Sequence, residues 1–158
     1  MINIEIEMMC GDIIKAELYP DVAPITVENF VKLINENFFD GLIFHRVIRG
    51  FMIQGGGYDA NGNHKDAESI KGEFTSNGVT NDLKHTRGVL SMARTMFPNS
   101  ASSQFFIMHE DAPHLDGQYA AFGMVTDGLD AVDKIAECAT DMGDAPLEPQ
   151  IIKTIRLA

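Results

Sequence analysis

The chain contains no tryptophan, only two cysteines in 158 residues, and 12 basic residues against 23 acidic ones. Each shortage excludes a class of function. Cys10 and Cys138 lie too far apart for any metal-binding spacing, so two free thiols in a reducing compartment are expected. The net charge of −11, with no run of Lys and Arg, argues against nucleic acid as a partner, because such binders present a basic patch or stripe. No apolar run approaches the ~18 residues of a membrane span. Met1–Glu7 lacks both a positive leader and a continuous apolar core, so it does not read as a signal peptide. A cytoplasmic protein without membrane contact follows, and a monomer is expected.

What is present is the composition of an ordinary globular protein, 45% hydrophobic and 22% charged. A chain of this length reads as one domain, residues 1–158, long enough to bury a core.

The most informative stretch is Phe44–Gly57, FHRVIRGFMIQGGG, where Arg46 sits beside the apolar Phe44, Val47, Ile48, Phe51, Met52 and Ile53. Alternate side chains of a strand share a face, so Phe44 and Arg46 are expected together, as are Met52 and Gln54 beyond the Arg49-Gly50 turn. An apolar surface carrying one cation and one amide suits a ligand pocket. It equally suits a core strand whose Arg46 is satisfied by an acid elsewhere.

Around this stretch the pattern is mostly β. Ile2, Ile4, Ile6 and Met8 alternate with Asn3, Glu5 and Glu7, and Ile14, Ala16 and Leu18 alternate with Lys15 and Glu17. These two strands predict an antiparallel hairpin turning at Cys10-Gly11-Asp12. Pro24 suits a first helical turn, and Val27, Phe30, Val31 and Ile34 form the stripe of a helix ending near Asn37. Tyr58–Thr86 is polar with few periodic apolar residues and reads as a long, functional surface loop. Further strands are predicted over Gly88–Ala93, Gln104–Met108, Tyr119–Val125 and Pro149–Leu157. A short helix is marked by Leu129, Val132, Ile135 and Ala136. Many short strands with two isolated helices predict a mainly β fold, a closed antiparallel barrel with helical covers; pattern alone leaves a two-layer sandwich open.

The usual catalytic constellations are missing. Gly55-Gly56-Gly57 is followed by neither the Gly-Lys-Ser/Thr of a phosphate loop nor the helix of a dinucleotide fingerprint. His109 and His114 flank Glu110 and Asp111, but no helical His pair or Cys pair supports zinc. No G-x-S-x-G elbow surrounds Ser91, Ser102 or Ser103, and no matched acid and base stand near the apolar cluster. Neither a metal nor a cofactor is expected. What recurs is pocket material: Phe51-Met52-x-Gln54, Ser91-Met92-Ala93, Gln104-Phe105-Phe106 and His114-Leu115. Each segment alone reads as core. Together they read as an apolar cup with a polar rim.

FHRVIRGFMIQGG, GVLSMAR, SQFFI and HLDGQYAAFG, in this order and spacing, resemble the signature segments of the cyclophilin family of peptidyl-prolyl cis-trans isomerases. The similarity runs over essentially the whole chain, TVENFV of the first helix included, and is to the short prokaryotic form. The resemblance implies an eight-stranded antiparallel barrel capped by two helices, acting on unfolded or Pro-containing polypeptides. It makes Arg46 the catalytic arginine, with Gln54 and Phe51 beside it. Phe51, Met52, Phe106 and Leu115 match the proline pocket, Gln54 and Gln104 its rim amides. Ala93 with the backbone of Arg94 matches the groove for residues before proline. Several positions depart. His114 stands where well-known eukaryotic members carry tryptophan, Tyr119 where they carry histidine, and Arg94 where asparagine is common. The loop from Arg94 to Gln104 is longer by a residue, and Asn61–Lys65 replaces a more glycine-rich stretch. These changes bear on peptide selectivity and imply weak cyclosporin binding. The competing reading is a module that grips Pro-containing segments without turnover. A barrel holding a small apolar ligand inside is disfavoured, because the pocket residues point to a surface groove.

Overall fold

The computed structural model describes residues 1–158. In chain order the elements are β1 (Ile2–Met8), β2 (Ile13–Leu18), α1 (Pro24–Asn35), β3 (Leu42–Ile48), β4 (Met52–Asp59), β5 (Val89–Met92), β6 (Phe105–Met108), β7 (Ala121–Asp127), α2 (Leu129–Ala136) and β8 (Ile152–Leu157). The strands form one sheet in the order β3-β4-β6-β5-β7-β2-β1-β8, antiparallel at each pairing. The outer strands meet through the Ile43–Ile151 bridge, with Phe44 N–H donating to the Gln150 carbonyl at 3.0 Å. The result is a nearly closed barrel, not a sandwich. No helix is long and apolar enough to cross a membrane.

Alternation in β1 and β2 sends Ile4, Ile6, Met8, Ile14, Ala16 and Leu18 inward. The helix stripe of α1 contributes Phe30, whose ring lies 5.0 Å from Phe39, 5.2 Å from Phe105 and 5.1 Å from Phe122. Aromatic packing at these separations adds to the area buried, so Phe30 ties α1 to the barrel.

Pro24 opens α1 as expected, but Ala23 offers no side-chain cap. The cap comes from far along the chain. Glu73 Oε1 accepts from the Thr26 N–H at 2.6 Å and from its hydroxyl at 2.8 Å, a carboxylate on the positive end of the helix dipole. This corrects the reading of Tyr58–Thr86 as a surface loop: Glu73, Phe74, Asn81 and His85 are all buried. Their polar groups satisfy one another, as where the Asn81 amide donates to the Glu73 and Ala121 carbonyls at 2.9 Å each. A segment stabilised that way carries no apolar period.

Element ends shift in the same physical sense. α1 stops at Asn35 rather than Asn37, because Asn37 adopts the left-handed region (φ 55°). β7 starts at Ala121 rather than Tyr119, and β8 at Ile152 rather than Pro149. α2 starts after Gly128, at φ 96°, where a Cβ would come within 2.5 Å of the Ile13 carbonyl oxygen.

One correction matters most for function. Phe44 pairs with Gly55, yet Arg46 pairs with Gln54, so β3 carries one residue more than β4 across this interval. This is a β-bulge. It reverses the alternation, and Phe44 and Arg46 do not share a face. Phe44 is fully buried inside the barrel, and Arg46 is exposed outside it.

Candidate active site

Downstream of the bulge, the register carries one row of side chains straight across four strands. Arg46 stands opposite Gln54, Gln54 opposite Phe106, and Phe106 opposite Ser91. The adjacent row, Val47, Ile53, Ile107 and Leu90, faces the core. The outward row has its own apolar cluster, in which Met52, Phe106, Leu115 and Ala121 pack apart from the barrel interior.

These side chains open into a cavity of about 150 Å³ lined by Arg46, Phe51, Met52, Gln54, Ala93, Arg94, Phe106, Leu115 and Tyr119. Nine of the eleven residues singled out from the sequence therefore meet in one place. Gln104 lines a connected, polar groove of about 270 Å³ with His64, Thr95, Ser100 and Ser102; Gln54, Ala93 and Arg94 belong to both. His114 is not in the cavity wall. Its ring stacks on Phe51 at 5.8 Å, behind the turn that presents Leu115.

The polar rim is a short chain. Arg46 Nη1 approaches Gln54 Oε1 at 3.5 Å, a long contact, and the Gln54 amide donates to Gln104 Oε1 at 3.0 Å. Gly57 makes this possible, since a Cβ there would lie 2.5 Å from the Gln104 side chain. Arg46 has no carboxylate partner among the ion pairs of the molecule. The alternative of a core arginine satisfied by an acid is thereby ruled out.

Behind Phe106 lies an arrangement the sequence analysis missed. Ser91, His85 and Asp116 are linked in series, with 2.9 Å from Ser91 Oγ to His85 Nε2 and 3.0 Å from His85 Nδ1 to Asp116 Oδ1. This is the connectivity of a nucleophilic triad, yet Ser91 is 0% exposed and His85 1% exposed, so no substrate reaches the hydroxyl. Burial pushes the His85 pKa below its usual value, against the opposing pull of Asp116. Burial also works against the Asp116 charge, but hydrogen bonds from the His85 backbone N–H and ring keep its carboxyl below the ordinary range. A neutral imidazole facing an ionised carboxylate is the consistent reading. The His85 ring then lies stacked on Phe106 at 6.0 Å and 20°, with Tyr119 edge-on to the same ring at 5.7 Å. The series positions a pocket wall. No local signal announced it, because the partners sit 6 and 31 residues from His85.

Potential metal ligands converge once, where His109, Asp133 and Glu137 bring donor atoms within 4.8 Å of one another. Those atoms are already committed. His109 Nδ1 accepts from Gly50 N–H at 2.9 Å, which leaves the ring proton on Nε2 facing Asp133 at 3.1 Å. Arg87 forks Asp133 at 2.6 and 2.8 Å. The cluster ties the Arg49-Gly50 turn, and with it Phe51, to α2.

Comparison with known proteins agrees with this geometry. The family described as cyclophilin type peptidyl-prolyl cis-trans isomerase/CLD matches residues 1–157. The chain is 43% identical over 159 residues to peptidyl-prolyl cis-trans isomerase ppi1 of Schizosaccharomyces pombe, covering 99% of this chain and 100% of that one. It is 42% identical to peptidyl-prolyl cis-trans isomerase B of Escherichia coli, with 94% of each chain covered. A Cryptosporidium parvum cyclophilin type isomerase, crystallised in the presence of the dipeptide Ala-Pro, superposes with a TM-score of 0.84 at 31% identity, covering 99% of this chain and 98% of that one. The chain belongs to the cyclophilin-type peptidyl-prolyl cis-trans isomerase family and is an isomerase.

Proposed function

We propose that residues 1–158 act as one domain that rotates X–Pro peptide bonds in Pro-containing polypeptides without a covalent intermediate. In this reading Arg46 stabilises the twisted prolyl amide over the apolar cavity. The observation that carries it is a guanidinium with no carboxylate partner, placed on the same cross-strand row as Phe106 and at the edge of a pocket walled by Phe51, Met52 and Leu115.

Amide planarity gives the C–N bond a rotation barrier of about 18–20 kcal/mol. The two X–Pro isomers differ by only about 0.5–1 kcal/mol, so both are populated but exchange over tens of seconds. In the twisted state resonance is lost and the prolyl nitrogen regains a lone pair. A guanidinium donor can bond that lone pair and finds none in the planar ground state, which is differential binding of the transition state. An acceleration of ~10⁵ needs about 7 kcal/mol. One charge-assisted hydrogen bond supplies roughly 1.5–3 kcal/mol. The remainder falls to the dry wall that grips the ring and to the Gln54–Gln104 amides that hold the carbonyl, through orientation and preorganised dipoles. No step needs a nucleophile or a proton shuttle.

A related isomerase crystallised in the presence of the dipeptide Ala-Pro supports prolyl peptides as the ligand class. NMR exchange spectroscopy on a short Ala-Pro peptide tests the proposal. Line broadening of the cis and trans signals at catalytic enzyme concentration is expected; binding without accelerated exchange would establish a Pro-binding module instead.

A further inference from the structure

The chain has five arginines, and three are in carboxylate pairs: Arg49 with Glu137 at 3.9 Å, Arg87 with Asp133 at 2.6 Å, and Arg156 with Glu5 at 2.8 Å and Glu7 at 2.7 Å. The two without one, Arg46 and Arg94, are the two that line the groove. Neither of the connected cavities is lined by an Asp or Glu, although the chain holds 23 acidic residues. His64, the remaining base in the wall, already faces Asp66 at 2.8 Å.

Arg94 is held in place by neutral groups. Its guanidinium lies 4.7 Å from the Phe74 ring and 4.7 Å from the Tyr119 ring. Nε and Nη2 donate to the Gln118 carbonyl at 3.1 and 2.6 Å, and Nη1 donates to the Thr95 carbonyl at 2.9 Å. A guanidinium has five N–H donors. The two left over sit one on each terminal nitrogen and remain open to a carboxylate or phosphate oxygen. The rotamer entropy of ordering a long side chain is already spent on the two aromatic faces and two carbonyls. What the site lacks is a counter-charge.

We propose that the groove selects substrates bearing an anionic side chain, carboxylate or phosphate, on a residue flanking the proline, with Arg94 as the residue that reads it. The proposal rests on the isomerase reading of the cavity and names its preferred substrate class. The net charge of −11 opposes an anionic peptide at long range. That opposition fades beyond the ~8 Å Debye length at physiological ionic strength, whereas the guanidiniums act at contact. A partly exposed ion pair corresponds to up to about fivefold in affinity or kcat/KM.

The test uses peptide pairs differing only in Glu against Gln, placed two before, one before, or one after the proline, with a phosphoserine/serine pair at the same places. Turnover by NMR exchange and dissociation constants by chemical-shift titration are both read as ratios within each pair. At one or more positions the wild type should favour the anionic member about three- to fivefold. The ratio should fall to one in Arg94→Met, which keeps the apolar stem, and survive in part in Arg94→Lys. A preference confined to phosphoserine would name phosphate as the source. Ratios of one at all three positions, or a preference unchanged in Arg94→Met, would overturn the proposal. Because each ratio is internal to one protein, a general loss of activity in a variant does not move it. Failure of the isomerase reading would show separately, as no turnover of the Gln peptides, and the affinity ratios would still decide the role of Arg94.

Discussion

Arg46→Ala removes a side chain whose hydrogen-bond partner within the protein is Gln54 Oε1, at 3.5 Å. It is exposed and pairs with no acid, so its removal should leave the folding free energy within about 0.5 kcal/mol of wild type. The kinetic loss should be far larger. If the guanidinium bonds the prolyl nitrogen only after the amide twists, losing it forfeits a charge-assisted hydrogen bond of about 1.5–3 kcal/mol. At 1.36 kcal/mol per decade, kcat/KM should fall about 10- to 150-fold. The loss should sit in kcat, with KM nearly unchanged, because the planar substrate never made the bond. Arg46→Lys should recover part of it, since an ammonium supplies charge without the planar fork. Two-dimensional exchange NMR over a range of peptide concentrations separates the constants, and urea melts report the fold. A fall below threefold in a folded variant would refute the assignment. So would a rise in KM at constant kcat, which would place Arg46 in ground-state binding.

Burial holds His85 and His45 below the usual histidine pKa; for His45 the neighbouring charges of Arg46 and His64 add to it. The native state favours neutral rings, while the unfolded chain takes up protons near the ordinary imidazole value of 6.5. Stability should therefore be full above that pH and decline as pH falls through it, by up to about 1.4 kcal/mol per pH unit per ring; equal urea midpoints at pH 7.5 and 5.5 would contradict this. Over about pH 7–9, kcat/KM should be flat, because no group in the proposed chemistry titrates there, and a bell-shaped profile would implicate an acid or base. Glu73→Ala should cost about 2–5 kcal/mol in urea denaturation, because it orphans the buried Thr26 N–H and hydroxyl, and Glu73→Gln should cost less, because its carbonyl still accepts. Cyclosporin should inhibit weakly, and His114→Trp should tighten it by adding apolar area next to Phe51; unchanged inhibition by an active variant would remove His114 from drug recognition.

The parts of this molecule legible in its sequence are those governed by period. Alternation placed β1 and β2, the spacing of Val27, Phe30, Val31 and Ile34 placed α1, and the four pocket segments converge as their shared chemistry suggested. Period reports which face a side chain occupies, but not which distant group it meets. Glu73 capping α1 across 47 residues, and His85 joined to Asp116 across 31, leave no trace in local pattern. Arg94 was read for its backbone alone. Its side chain acquires meaning only once Phe74 and Tyr119 are seen to enclose it.

The extra residue in β3 also constrains how such a chain can change. Arg46 points outward because the count of residues between it and Phe44 is out of step with β4. Regular alternation through His45, without the bulge, would give Arg46 the face of Phe44 and turn the guanidinium toward the barrel interior, where an unpaired charge is prohibitively costly. A single-residue insertion or deletion that the bulge does not absorb would have the same effect, even when every pocket side chain is retained. Exposed bends such as those at Gly62 and Met142 can lengthen or shorten freely. Length variation among proteins of this design should accordingly collect in the bends and spare the seven residues of β3.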